Sequence, residues 1–347
     1  MKNRFQSVEI GLLYFYIHFV TETICFYLLN SFFKAPISSW ILAYTYDMLA
    51  FVPQSVIGYY RDRHPQINLS IIGSVLLVVS VLSYKFFNQG IILSLVTVSL
   101  GNALIHVEGA EVTIRSSKGK MTPSSIFVGG GSFGVIIGKL CSSYGVPYQL
   151  MIILIISMIP FVMLSNEIKD EDRNCRDFQY ANSNIDKALI IFYSAIIVII
   201  RGYMGYGIPT SWRKSTLQNI VFYFSMGLGK CMGGFFIDKV GIRKTSYISI
   251  LGSIPFLLFG DKIMFLSIIG VAFFSMTMAV TLAVLVSVLP ENVGLAFGVT
   301  TIGLFLGSVP VFFFKINIFF YSAVTIVLLS LLCIYMASRI VNDDNSN

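Results

Sequence analysis

Residues 215–244 read STLQNIVFYFSMGLGKCMGGFFIDKVGIRK. The run from 215 to 236 is apolar for about the 20 residues that a helix needs to cross a hydrocarbon core. Gly234 stands near its end, and four residues later the chain turns polar: Asp238-Lys239-Val240-Gly241-Ile242-Arg243-Lys244. A second copy stands upstream, where the apolar run at 38–60 ends in Gly58-Tyr-Tyr-Arg-Asp62-Arg63. Gly58 and Gly234, and Asp62 and Asp238, are both 176 positions apart. A constant offset between two such loops implies a duplicated unit, and duplicated halves around a central site are a transporter architecture.

The rest of the chain agrees with a membrane solvent. Of its 347 residues, 56% are hydrophobic and 12% charged, against roughly 25% charged in a soluble domain. The apolar runs are continuous, unlike the alternating strands of a porin-like barrel, and backbone groups in lipid must be paired within the segment. We expect an all-α integral membrane protein with twelve transmembrane helices in two pseudo-symmetric six-helix halves. The spans fall near 7–29, 38–60, 68–86, 90–112, 123–142, 147–165, 187–208, 215–236, 245–260, 263–288, 293–309 and 316–338. The polar stretch 166–186, SNEIKDEDRNCRDFQYANSNI, reads as a solvated linker between an N-terminal half (1–165) and a C-terminal half (187–347).

Orientation follows from charge. Fifteen Lys and Arg residues fall on the side that carries both termini and the linker, and seven on the other. The excess places both termini in the cytoplasm of a multi-pass plasma (inner) membrane protein. The first apolar run is too long for a cleavable signal and lacks a small-residue cleavage site. The net charge of +7 reflects this topology rather than nucleic-acid binding. Five scattered cysteines have no metal-like spacing, so neither a metal nor a cofactor is expected. The partners are the lipid bilayer, a small-molecule solute and protons, with the chain acting as a monomer.

The two loops resemble the signature of the major facilitator superfamily, Gly-x-x-x-Asp-Arg/Lys-x-Gly-Arg/Lys-Arg/Lys. The second copy keeps it with Ile242 in place of one basic residue, and the first keeps Gly58, Asp62 and Arg63. A closer resemblance lies in the first half. His18-Phe-Val-Thr-Glu22, Gln54-Ser-Val-Ile-Gly58 and Gly101-Asn-Ala-Leu-Ile-His106-Val-Glu108-Gly109-Ala110 look like three ordered motifs of the fosmidomycin-resistance-type exporters. This sequence has Glu22 for Asp, Ser55 for Pro and Val107 for Pro. The resemblance implies twelve spans and a cytoplasmic gate built from Gly58, Asp62, Arg63, Arg115, Gly234, Asp238, Lys239, Gly241 and Arg243. Asp62 and Asp238 suit the start of the next helix, where negative charge is favoured, and Arg115 is a candidate partner for Asp62.

Charges inside spans are costly and face a bundle interior or water. His18 and Glu22 share one face of the first span; they read as a proton-exchanging pair or as a structural pair between helices. Asp47 reads as a second titrating carboxyl or as part of a polar patch. His106 and Glu108 point to different faces, and the motif they sit in implies a role for at least one. Arg201 lies 176 positions after Cys25 and so looks toward the His18–Glu22 face from the other half, either holding an anionic solute or pairing with Glu22 or Asp47. Gly130, Gly134 and Gly138, at four-residue spacing, form a helix-packing face.

No Gly-x-x-x-x-Gly-Lys-Ser/Thr loop occurs, so the expected function is secondary active transport: proton-coupled export of a small, anionic or amphiphilic compound by alternating access. An importer or uniporter on the same fold is the alternative. A membrane-embedded enzyme using His18 and Glu22 as acid and base is the remote one.

Overall fold

The computed structural model describes residues 7–34, 37–86, 90–165, 187–208 and 210–313. Among them every element is helical: α1 (Ser7–Phe32), α2 (Ser39–Phe51), α3 (Gln54–Arg63), α4 (Leu69–Phe86), α5 (Gly90–Arg115), α6 (Thr122–Ser143), α7 (Tyr148–Ser165), α8 (Lys187–Gly207), α9 (Thr216–Val240), α10 (Ile242–Phe259), α11 (Met264–Val288) and α12 (Val293–Phe313). Nine of these are long and apolar enough to cross a membrane. The linker 166–186 and the span expected at 316–338 lie outside the described residues.

The second expected span, 38–60, is two helices rather than one. Proline has no N–H and its ring clashes with the preceding turn, and Pro53 stands between α2 and α3. The buried Gln54 side chain covers part of the loss, its Nε2 donating to the Ala50 carbonyl at 2.8 Å. The ninth expected span, 245–260, is a full helix of 18 residues, α10, that falls outside the nine.

Packing follows the small residues. α1 lies along α6, α4 along α5, α8 along α12, and α9 between α6 and α11. On α6, Gly130 meets the Phe15 backbone, Gly134 the Phe19 carbonyl and Gly138 the Thr23 carbonyl, so both helices advance by four residues per contact. Lipid tails give helices no hydrophobic reason to associate, so close van der Waals approach and hydrogen bonds must do it. Thr23 adds one, donating across to the Gly134 carbonyl at 3.4 Å.

Two seams join the segments before and after the linker. α6 packs on α9, and α12 packs on α3, α5 and α2. Outside the spans, Asp261 accepts the Ser211 hydroxyl at 2.7 Å and the Ser211 N–H at 2.9 Å, which ties the 208–215 loop to the α10–α11 turn. The same two bonds hold the Asp261 carboxyl below its usual pKa.

A Cβ on Gly134 would lie 2.8 Å from Glu22 Cβ and 3.1 Å from the Thr23 nitrogen. Gly134→Leu therefore forces α1 and α6 apart. Overpacking of this kind costs about 1–3 kcal/mol. We expect a lower thermal unfolding temperature in detergent for Gly134→Leu, and a smaller drop for Gly134→Ala.

Candidate functional site

The middle of the bundle holds three ionisable side chains in contact. His18 Nε2 is 3.7 Å from Glu22 Oε1, and His106 Nε2 is 3.3 Å from the same oxygen. All three residues are buried, at 4%, 7% and 8% exposure, so water does little to separate their charges. α1 supplies His18 and Glu22 one turn apart, and α5 supplies His106. The two imidazole rings meet edge to face at 4.3 Å between centroids.

Neighbours fix both rings. His18 Nδ1 donates to the Phe127 carbonyl at 2.8 Å, and His106 Nδ1 donates to the Asn102 carbonyl at 2.9 Å. Gly131 leaves the room that the His18 ring occupies. Asn102, one turn before His106, donates its side-chain Nδ2 to Glu22 Oε1 at 3.0 Å, and also lies 3.1 Å from the Tyr46 hydroxyl and 3.3 Å from Cys25 Sγ. Asn102 was not a candidate in the sequence. Its four-residue spacing from His106 on a buried face was the available signal.

The second half contributes cations. Arg201 on α8 is buried and donates from Nη1 to Thr281 Oγ1 on α11 at 3.3 Å. Lys230 on α9 is half-buried, within electrostatic reach of both Arg201 and Glu22. Asp47 is buried on α2 next to Tyr46. Glu108 is elsewhere: Oε2 accepts the Ser70 N–H at 2.8 Å and Oε1 the Tyr14 hydroxyl at 3.4 Å, so it caps the start of α4 instead of joining the cluster. The two-residue step from His106 turns it to that other face.

At one end of the bundle the two repeated loops reach across the seams. Asp62 Oδ1 accepts the Gly294 N–H at 2.9 Å, and Oδ2 accepts the Leu295 N–H at 3.0 Å. Asp238 accepts the Met121 N–H at 2.7 Å, the Thr122 N–H at 2.9 Å and the Thr122 hydroxyl at 2.5 Å. These are the starts of α12 and α6, not of the next helices in the chain as the sequence suggested. The reason is backbone contact: Gly58 lies against Gly294, and Gly234 against Met121 and Ser125, leaving each aspartate over the neighbour's first turn.

Arg115 Nη2 is 3.1 Å from Asp62 Oδ1 and donates to the Glu291 carbonyl at 3.0 Å, while its Nε is 2.9 Å from Glu111 Oε1. Glu111 also meets the fully buried Arg61, at 3.2 Å. Neither residue stood out in the sequence, because their pairing is a tertiary fact. Arg63 does not cross: it donates to the Tyr59 carbonyl of its own helix and lies over the Tyr59 ring. Lys239 sits 5.8 Å over the Phe235 ring, Gly241 ends α9 at φ 85°, and Arg243 stands in the first turn of α10. Farther along the α6–α9 seam, Lys139 Nζ donates to the Tyr223 hydroxyl at 2.8 Å.

The chain has the fold of a major facilitator superfamily transporter. It superposes on the E. coli fucose:proton symporter FucP with a TM-score of 0.68 at 13% identity, over 95% of this chain and 97% of that one. The human organic anion transporter MFSD10 superposes with a TM-score of 0.61 at 12% identity, over 94% and 98%. In sequence it is similar to the fosmidomycin resistance protein of Escherichia coli (strain K12), 23% identical over 247 residues. That match spans 63% of this chain and 60% of the relative's length. No family model matches the chain. The structural neighbours are transporters.

Asp62→Ala removes the acceptor for two helix-start N–H groups and one side of an ion pair. We expect faster hydrogen exchange at Gly294 and Leu295, with little change at the start of α6, where Asp238 still serves.

Proposed function

We propose that the protein is a secondary active transporter that exports a small anionic compound by alternating access between its N-terminal and C-terminal halves. One observation carries the reading: the second half brings buried Arg201 and half-buried Lys230 inward, with Lys230 within electrostatic reach of both Arg201 and Glu22. Ionisable groups inside a membrane protein mark substrate and ion pathways. Arg presents a rigid fork of donors that suits carboxylate or phosphate-like groups. The similarity to a fosmidomycin resistance protein and the superposition on an organic anion transporter support an exported anion.

The closed end is the cytoplasmic one in this reading, from the excess of Lys and Arg in its loops. Asp62 and Asp238 act there as latches that release when the halves rock. The chain works as a monomer in the plasma (inner) membrane, with both termini in the cytoplasm. Protons are the driving ion, by analogy with the fucose:proton symporter. That same neighbour favours a second reading, uptake on the same fold, which accumulation of solute in intact cells would select.

The test is flux in inside-out vesicles across a panel of labelled phosphonates and carboxylates. An acidic lumen should drive solute in as protons leave. Arg201→Ala should lower that flux by about 10-fold or more, equivalent to about 1.4 kcal/mol, with Arg201→Lys intermediate. Flux of every anion unchanged in Arg201→Ala would reject the role of Arg201.

A further inference from the structure

His18, Glu22 and His106 converge in a way that neither a helix pair nor a solute pathway requires. A carbonyl oxygen only accepts hydrogen bonds. The Phe127 and Asn102 carbonyls therefore fix the hydrogen of each ring on Nδ1. In the neutral rings both Nε2 atoms then carry lone pairs, and both stand beside Glu22 Oε1, at 3.7 and 3.3 Å. Three electron-rich atoms, all within 4.8 Å of one another in a buried site, repel unless a cation lies among them.

We propose that His18, Glu22 and His106 form a binding site for a divalent first-row transition metal, with zinc the ion that suits it. Zinc binds His nitrogen and carboxylate oxygen at about 2.0–2.2 Å in a tetrahedral shell, whose ligand-to-ligand edges are therefore about 3.3–3.5 Å. The two distances to Glu22 fall close to that edge. Metal-binding histidines donate their other ring N–H to a carbonyl or carboxylate, which sets tautomer and orientation; both rings here already do so. Asn102 completes the outer layer, its side chain holding Glu22 and its backbone holding His106. One carboxylate and two neutral imidazoles carry a single negative charge against two positive ones, so the loaded site stays cationic. Three protein ligands leave a position for water or for an anionic group of the solute. The expectation of no metal rested on cysteine spacing; this set is brought together by α1 and α5 from positions 84 to 88 residues apart.

The site is tested on the purified full chain in detergent, without any transport measurement, so its failure and that of the export reading are separable. Co²⁺ is titrated at equilibrium and its visible ligand-field absorption followed, then displaced by Zn²⁺. The wild type should bind one ion per chain with a tetrahedral spectrum. Glu22→Gln and His106→Gln should each weaken binding by about 100-fold or more, and Asn102→Ala by about 10- to 100-fold. His64→Gln, which removes the third histidine of the chain, at the end of α3, should bind as the wild type does. Zinc-edge X-ray absorption on the wild type needs no variant and should show two imidazoles in a nitrogen and oxygen shell. Absence of binding by the wild type would overturn the site and leave a shared proton as what the cluster holds. So would binding lost only in His64→Gln, or a shell with fewer than two imidazoles.

Discussion

A helix leaves its first four backbone N–H groups without a partner in its own turn, and inside a bilayer no water supplies one. The structure meets that constraint three times with a carboxylate from elsewhere in the chain: Asp62 at α12, Asp238 at α6 and Glu108 at α4. Each bond satisfies a backbone group, places a negative charge at the positive end of a helix and fixes the position of one helix on another. Two of the three cross the seams that join the parts of the chain before and after the linker. The same residues therefore serve as caps in one conformation and as latches in the transport cycle proposed above.

Close backbone approach is what makes those bonds reachable. Gly58 against Gly294 and Gly234 against Met121 bring the helices near enough for an aspartate, a short side chain, to span the gap. The glycine stripe of α6 does a related job in the interior. It seats α1 deeply enough that His18 stands over Gly131 and hydrogen-bonds the backbone of α6, while Glu22 packs beside Gly134. Charged groups in the core are held by close-set backbone on one side and by Asn102 on the other.

Much of this was legible in the residues. Apolar length placed eleven of the expected spans on described helices, and the repeated Gly-x-x-x-Asp pointed to the two loops that carry the crossing aspartates. Proline is unfavourable inside a helix, yet Pro160, Pro255 and Pro310 sit within α7, α10 and α12, so the residue type alone did not mark Pro53 as the one that divides a span. Sequence had less to say about partners. It sent Asp62 and Asp238 to the next helix, because nearness along the chain was the available guide; the actual partners lie 116 to 233 residues away, Asp62's later in the chain and Asp238's earlier. The two-residue step already set Glu108 on a different face from His106, but its destination at the start of α4 is a tertiary fact. Arg61 and Asn102 stand at variable positions of the quoted motifs and Glu111 outside them, and only the packing of α5 against α1 and α3 gives them their roles.

The break at Pro53 divides the second span by purpose. α2 carries Asp47 and Tyr46 on the interior wall, while α3 carries Gly58, Arg61 and Asp62 and is bound to α12. Two helices joined at a proline need not tilt as one rod. α3 answers to α12, through Gly58 and Asp62, while α2 is held to α5 by the bond between Tyr46 and Asn102. The span that reads as one wall is two segments with different anchors, meeting at residue 53.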